Sequence, residues 1–279
     1  MARTGAPQTR PIVPEDPDYW LAAELSPRHV RIEMAGETIA ASRRVMLFRE
    51  RGRTPVYYFP RTDVRMDLLA PIDEIVADPN KGDARYFDVA AGGRVASRAA
   101  YAYFEPHTQW IERPDYVAFV WDQMDHWYEE NTEVYKHARD PYHRVDAMAG
   151  ARHVRVVVAG ETIAETHRPH VLFETGHPVR YYIPSEDIRM DLLEPTPLHS
   201  RCPYKGEASY WKLKNGEQEV AWAYLDPIAE CPSIKGLIAF YNERVDEVWV
   251  DDQFETKPPH RWHTDRPLPA PTGSGRPVD

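Results

Sequence analysis

The residues best placed to do chemistry lie in the later half of the chain. The string Arg201–Gly206 reads RCPYKG and sets the thiol of Cys202 between Arg201 and Lys205. A neighbouring cation lowers a thiol pKa and favours the nucleophilic thiolate, which makes Cys202 a candidate catalytic residue. The competing reading is a small buried residue in a turn. His199 lies three positions earlier, and strand neighbours on one face are two apart, so the pair would need a bend to meet.

An aromatic set surrounds this string in sequence: Tyr181, Tyr182, Tyr204, Tyr210, Trp211, Trp222 and Tyr224. Trp222 and Tyr224 are two apart and share a face. Aromatic-lined sites with a few polar groups suit small molecules. The expected ligand-binding set is Tyr181, Tyr204, Lys205, Trp211, Trp222, Tyr224 and Arg180, with Glu174 as a further polar group. Tyr210 and Trp211 alternate faces, so only one can line a given surface. The same aromatics would also serve as a core.

A third cluster lies mid-chain. Glu129–Gly150 reads EENTEVYKHARDPYHRVDAMAG and is too rich in charge and rings for an idle linker. His137, Arg139, Asp140, His143 and Arg144 could bind an anion or move protons. Alternatively, Arg–Asp pairs hold the segment against a sheet edge, and this structural role is the preferred reading. No metal site or cofactor is expected. His167 and His170, and His260 and His263, lack a carboxylate or thiol at useful spacing.

Whatever positions these groups is mostly strand and is present twice. Arg28–Ala40, RHVRIEMAGETIA, matches Arg152–Ala164, RHVRVVVAGETIA, at ten of 13 positions and an offset of 124. VYYFPRTDVRMDLL from Val56 and RYYIPSEDIRMDLL from Arg180 keep that offset. After a three-residue shift, AYFEP from Ala102 meets AYLDP from Ala223. A repeat this long means duplicated domains. The apolar runs are short, β-branched or aromatic, and bounded by Pro or Gly, as strands of packed sheets are. Val64–Leu68 reads as a strand with Arg65 and Asp67 paired on its outer face. Tyr19–Leu25 reads as one or two helical turns. Gly92-Gly93 reads as a hairpin turn.

The expected order is an N-terminal extension (1–27), a first β domain (28–128), an ordered linker (129–150), a second β domain (151–256) and a Pro-rich extended or disordered tail (257–279). The fold class is all-β with minor helix, each domain of two packed, mostly antiparallel sheets. The chain has 279 residues, 26 of them Pro, and a net charge of −10. That charge argues against nucleic acid and anionic membrane as partners. No apolar stretch could span a bilayer as a helix. Met1–Pro17 lacks the apolar run of a secretory signal. Two cysteines exclude a disulfide-rich scaffold. A cytoplasmic location is expected.

The strings PVRYY (from Pro178), DIRMDLL (from Asp187), CPYKGEASYW (from Cys202), AWAYLDP (from Ala221), GLIAFYNERVD (from Gly236) and HARDPYHRVD (from His137) resemble the DUF427 family. The resemblance covers both copies, from about Arg28 to Asp252. It implies an all-β fold of two sheets inclined like a tent and brings no known reaction. Members sometimes carry a nucleotidyltransferase-like label, but no P-loop or Gly-rich element followed by Asp-x-Asp is present to support one. The first copy has Asp78-Pro79-Asn80-Lys81-Gly82 where the second has CPYKG. One site is therefore expected, in copy two, with the linker either beside it or stabilising copy one. The preferred function is small-molecule binding. The alternatives are an enzyme using Cys202 or the linker His and Arg residues, and a structural module whose two copies pack as a pseudo-dimer.

Overall fold

The computed structural model describes residues 19–78, 80–106 and 116–255. The N-terminal extension before Tyr19 and the Pro-rich tail with His260 and His263 lie outside the described residues. Strands dominate and the chain falls into two compact units that meet between Asp140 and Pro141. The all-β, two-domain expectation is borne out. No helix among the described residues is long and apolar enough to cross a membrane.

The first unit holds β1 (Leu21–Leu25), β2 (Val30–Met34), β3 (Glu37–Ser42), β4 (Met46–Glu50), β5 (Val56–Pro60), β6 (Leu69–Asp78), β7 (Gly82–Ala91), β8 (Arg94–Pro106), β9 (Tyr116–Phe119), β10 (His126–Glu129) and β11 (Thr132–Glu133). The second holds β12 (Val145–Ala149), β13 (Val154–Val158), β14 (Glu161–Thr166), β15 (His170–Glu174), β16 (Arg180–Ile183), β17 (Leu193–Cys202), β18 (Gly206–Leu213), β19 (Glu219–Pro227), β20 (Ile238–Phe240), β21 (Glu247–Val250) and β22 (Gln253–Phe254). Each unit has a seven-stranded and a four-stranded antiparallel sheet. The orders are β1-β4-β5-β9-β8-β7-β6 with β11-β10-β2-β3, and β12-β15-β16-β20-β19-β18-β17 with β14-β13-β21-β22.

Alternation along the strands divides the apolar residues into two sets. In the second unit, Val154, Val156, Ile163, Tyr181, Ile183, Ala221 and Ala223 form the core to which both sheets contribute. Leu172, Tyr182, Ala208, Tyr210, Trp222 and Tyr224 point to the opposite face of the seven-stranded sheet. That face is also buried, because Cys231 and Ile234, at the 3-10 turn Pro232–Ile234, pack with it. A sheet covered on both sides needs apolar residues in both phases, which is why Tyr181-Tyr182 and Tyr210-Trp211 are adjacent.

Three local expectations are corrected. Leu21–Leu25 is a strand, not a helix: Leu21 and Ala23 are buried, Ala22 and Glu24 less so, and the segment pairs with β4. Pairing along one strand outweighs the helical preference of so short a segment. Val64–Leu68 is not a strand; Val64 makes a single bridge to Ala40 between two 3-10 turns. The Arg65–Asp67 ion pair is present and exposed, as is its counterpart Arg189–Asp191. The segment 129–150 is not one linker. Glu129 closes β10, and Val145–Ala149 is β12, an edge strand paired with β15.

The turn between β17 and β18 depends on Gly206, whose φ is +107°. A Cβ there would sit 3.3–3.4 Å from backbone atoms of Asp226, Pro227 and Ile228. Gly206→Ala is expected to cost about 1–3 kcal/mol. A urea-denaturation midpoint unchanged from wild type would contradict this.

Candidate functional site

The site forms where four segments of the second unit meet. β15 ends at Glu174, and the turn after it carries His177. His143 precedes β12, which runs antiparallel beside β15 and so brings residues 31 apart in sequence together. The β17–β18 turn supplies Cys202, Tyr204 and Lys205.

Glu174 is the hub. Its Oε2 accepts from Lys205 Nζ at 2.5 Å, and its Oε1 lies 3.0 Å from His143 Nε2. The Glu174 and Lys205 side chains are only 7% and 9% exposed, so the ion pair is internal. Burial alone would raise the Glu174 carboxyl, but the His143 hydrogen bond and the Lys205 and His177 charges bring it down to about 2. Desolvation would likewise lower Lys205, and the neighbouring Cys202 and Glu174 overcome it and raise it. The Tyr204 ring stacks on His143 with centroids 4.0 Å apart and planes 19° from parallel. His177 packs edge-on to His143 at 5.7 Å. His177 Nδ1 lies 3.0 Å from the Thr175 carbonyl oxygen. Its imidazole pKa is pushed down, chiefly by desolvation.

Behind this polar cluster lie the aromatics. Trp222 Nε1 donates to Tyr182 Oη at 3.1 Å, and Trp222 also packs on Tyr241 at 4.3 Å. Tyr182, Tyr210, Trp222 and Tyr224 are all buried. Cys202 is half-buried against them. Cys231 is a second free thiol, fully buried, and burial pushes its pKa up.

The expected residues do not all gather here. Lys205, Tyr204, Cys202 and His143 do, with Trp222 and Tyr224 adjoining. Tyr181 faces the core between the sheets, where its hydroxyl donates to Glu255 at 3.0 Å. Trp211 packs against that same core, and Tyr210 takes the face expected of it. Arg180 makes two hydrogen bonds to Glu243 and lies 5.5 Å over the Trp222 ring. The mid-chain cluster is divided. Arg139 donates to Glu129 through N and Nε, Asp140 lies 3.8 Å from Arg49, and His137 Nδ1 contacts the Ala138 carbonyl. These belong to the first unit, not to the cluster of the second. Arg144 pairs with Asp146, and its backbone N donates to Thr175. Only His143 reaches the cluster. His177 was missed, and it has a signal in the repeat itself.

At the offset of 124, five positions of the cluster have counterparts in the first unit. Glu50 and Lys81 keep the ion pair, at 2.6 Å. Tyr19 replaces His143 and donates to Glu50 at 2.9 Å. Arg53 replaces His177 and lies 3.4 Å from Glu50. Asp78 replaces Cys202 and is 2.9 Å from Lys81. The first unit closes its ion pair into a charge-saturated network. The second surrounds the same pair with two imidazoles and a thiol.

The family model for a domain of unknown function, DUF427, matches twice, over residues 22–130 and 146–251. The chain belongs to the DUF427 family. The two matched segments follow the two structural units, so the chain is a tandem pair of DUF427 domains. The second match begins with β12, in agreement with the sheet order. No curated protein matches the chain.

Proposed function

We propose that the second DUF427 repeat binds a small molecule at the cluster of His143, Tyr204 and His177, with the Glu174–Lys205 pair fixing the rings from behind. The carrying observation is the contrast inside one chain. Both repeats keep the buried ion pair, yet the first closes it with Tyr19, Arg53 and Asp78, whereas the second frames it with two imidazoles, the Tyr204 ring and a thiol. Stacked imidazole and phenol rings offer flat faces and hydrogen-bonding edges suited to a compact planar or anionic ligand. The buried aromatics serve as the rigid floor of the site.

Binding is favoured over nucleophilic catalysis by Cys202, because Lys205 and His143 direct their hydrogen bonds to Glu174. Two free thiols suit a reducing compartment such as the cytoplasm. Native mass spectrometry of the full chain tests the reading. The expected result is a small adduct on the chelator-treated wild type that disappears in Tyr204→Ala. An adduct-free wild type that also shows no thermal shift across a metabolite panel would overturn it.

A further inference from the structure

Donor atoms of His143, Glu174 and His177 all lie within 4.8 Å of one another, the one such group of metal-ligating side chains among the described residues. We propose that these three side chains bind a divalent transition-metal ion of the zinc class. This deepens the small-molecule reading, since it places an electrophilic ion at the same cluster.

Three features carry it. The donors are two imidazoles and one carboxylate, a set that suits zinc-class ions and leaves a coordination position open, whereas calcium and magnesium take oxygen ligands. The second is orientation. With Nδ1 of His177 protonated toward the Thr175 carbonyl, the ring's lone pair sits on Nε2, and a backbone carbonyl is a usual outer partner of a metal-binding His. Lys205 likewise holds Oε2 of Glu174 and leaves Oε1 to the ion, which would displace the proton shared with His143. The third is one-sided burial. The Glu174 and His143 side chains are 7% and 14% exposed, while His177 lies exposed at the rim, so the site is walled on one side and open to an incoming ion on the other. Metal bonds of about 2.0–2.1 Å place tetrahedral ligand atoms about 3.4 Å apart. Small side-chain rotations close the remaining distance.

The first repeat supplies the control. Tyr19, Glu50 and Arg53 occupy the corresponding positions, and an arginine there fills the place of a cation. The test loads the chelator-treated full chain with Zn2+ by calorimetry and with Co2+ for its visible ligand-field bands. No small molecule is added, so failure here is separable from failure of the binding reading. The expected result is one tight equivalent and intense cobalt bands. The variant H143Y/H177R installs side chains that the fold already accommodates in its other half. It should keep the wild-type circular dichroism and weaken zinc binding by more than about tenfold. His177→Gln, a milder change, should weaken it in the same direction if the double variant fails to fold. Absent cobalt bands, no tight zinc equivalent, or an equivalent that loses less than about tenfold in the variants that fold would overturn the proposal.

Discussion

Lys81→Met should lower the stability of the chain by about 3–5 kcal/mol. The Lys81 side chain is 2% exposed and neutralises both Glu50 and Asp78, whose side chains are 10% and 4% exposed. Methionine has a similar length and no charge, so Asp78 would lose its ammonium away from water and Glu50 would be left with Arg53 and the Tyr19 hydroxyl. The triple variant K81M/E50Q/D78N removes the stranded charges and should recover most of the loss. Equilibrium urea denaturation reads both. A single variant that loses less than about 1 kcal/mol would show that these carboxylates do not depend on the ammonium. Lys205→Met should be milder, because Lys205 serves one buried carboxylate, Glu174, where Lys81 serves two, and Glu174 keeps its His143 contact.

Trp222→Ala should cost about 3–5 kcal/mol, the range for deleting a large buried aromatic. Trp222 is buried on the outward face of β19, meets Tyr182 edge-on at 6.1 Å, and donates its indole N–H to that hydroxyl. Trp222→Phe keeps a six-membered ring and gives up the pyrrole ring with its hydrogen bond, the bond alone worth about 0.5–1.5 kcal/mol, so its loss should fall between wild type and Trp222→Ala. The two variants should therefore separate clearly in thermal denaturation. Equal, small losses would mean that this face is loosely packed and that the floor of the proposed site is not rigid.

The duplication and the strand-rich class were legible in the chain because each leaves a local mark, identity at fixed spacing or alternation, and the CPYKG string marks the turn between β17 and β18. Facing was less legible. Tyr181-Tyr182 and Tyr210-Trp211 sit in strands buried on both sides, so no polar phase tells one neighbour from the other. His143 and His177 were hard to join because β12–β15 pairing, not sequence proximity, brings them together. The divergence of the repeats held the clue. Glu and Lys persist at both copies of the pair, and the residues around them change together, Tyr19 to His143, Arg53 to His177 and Asp78 to Cys202.

The position of β12 fixes where the two halves can be separated. Sequence identity between the copies resumes at Arg152, which invites a cut just before it. Such a cut would remove the outermost strand, bare the backbone donors and acceptors of β15 along its length, and discard His143. A freed sheet edge of that kind recruits other chains. The Asp140–Pro141 junction leaves the edge covered, so hydrogen bonding rather than sequence likeness marks the boundary of the second unit.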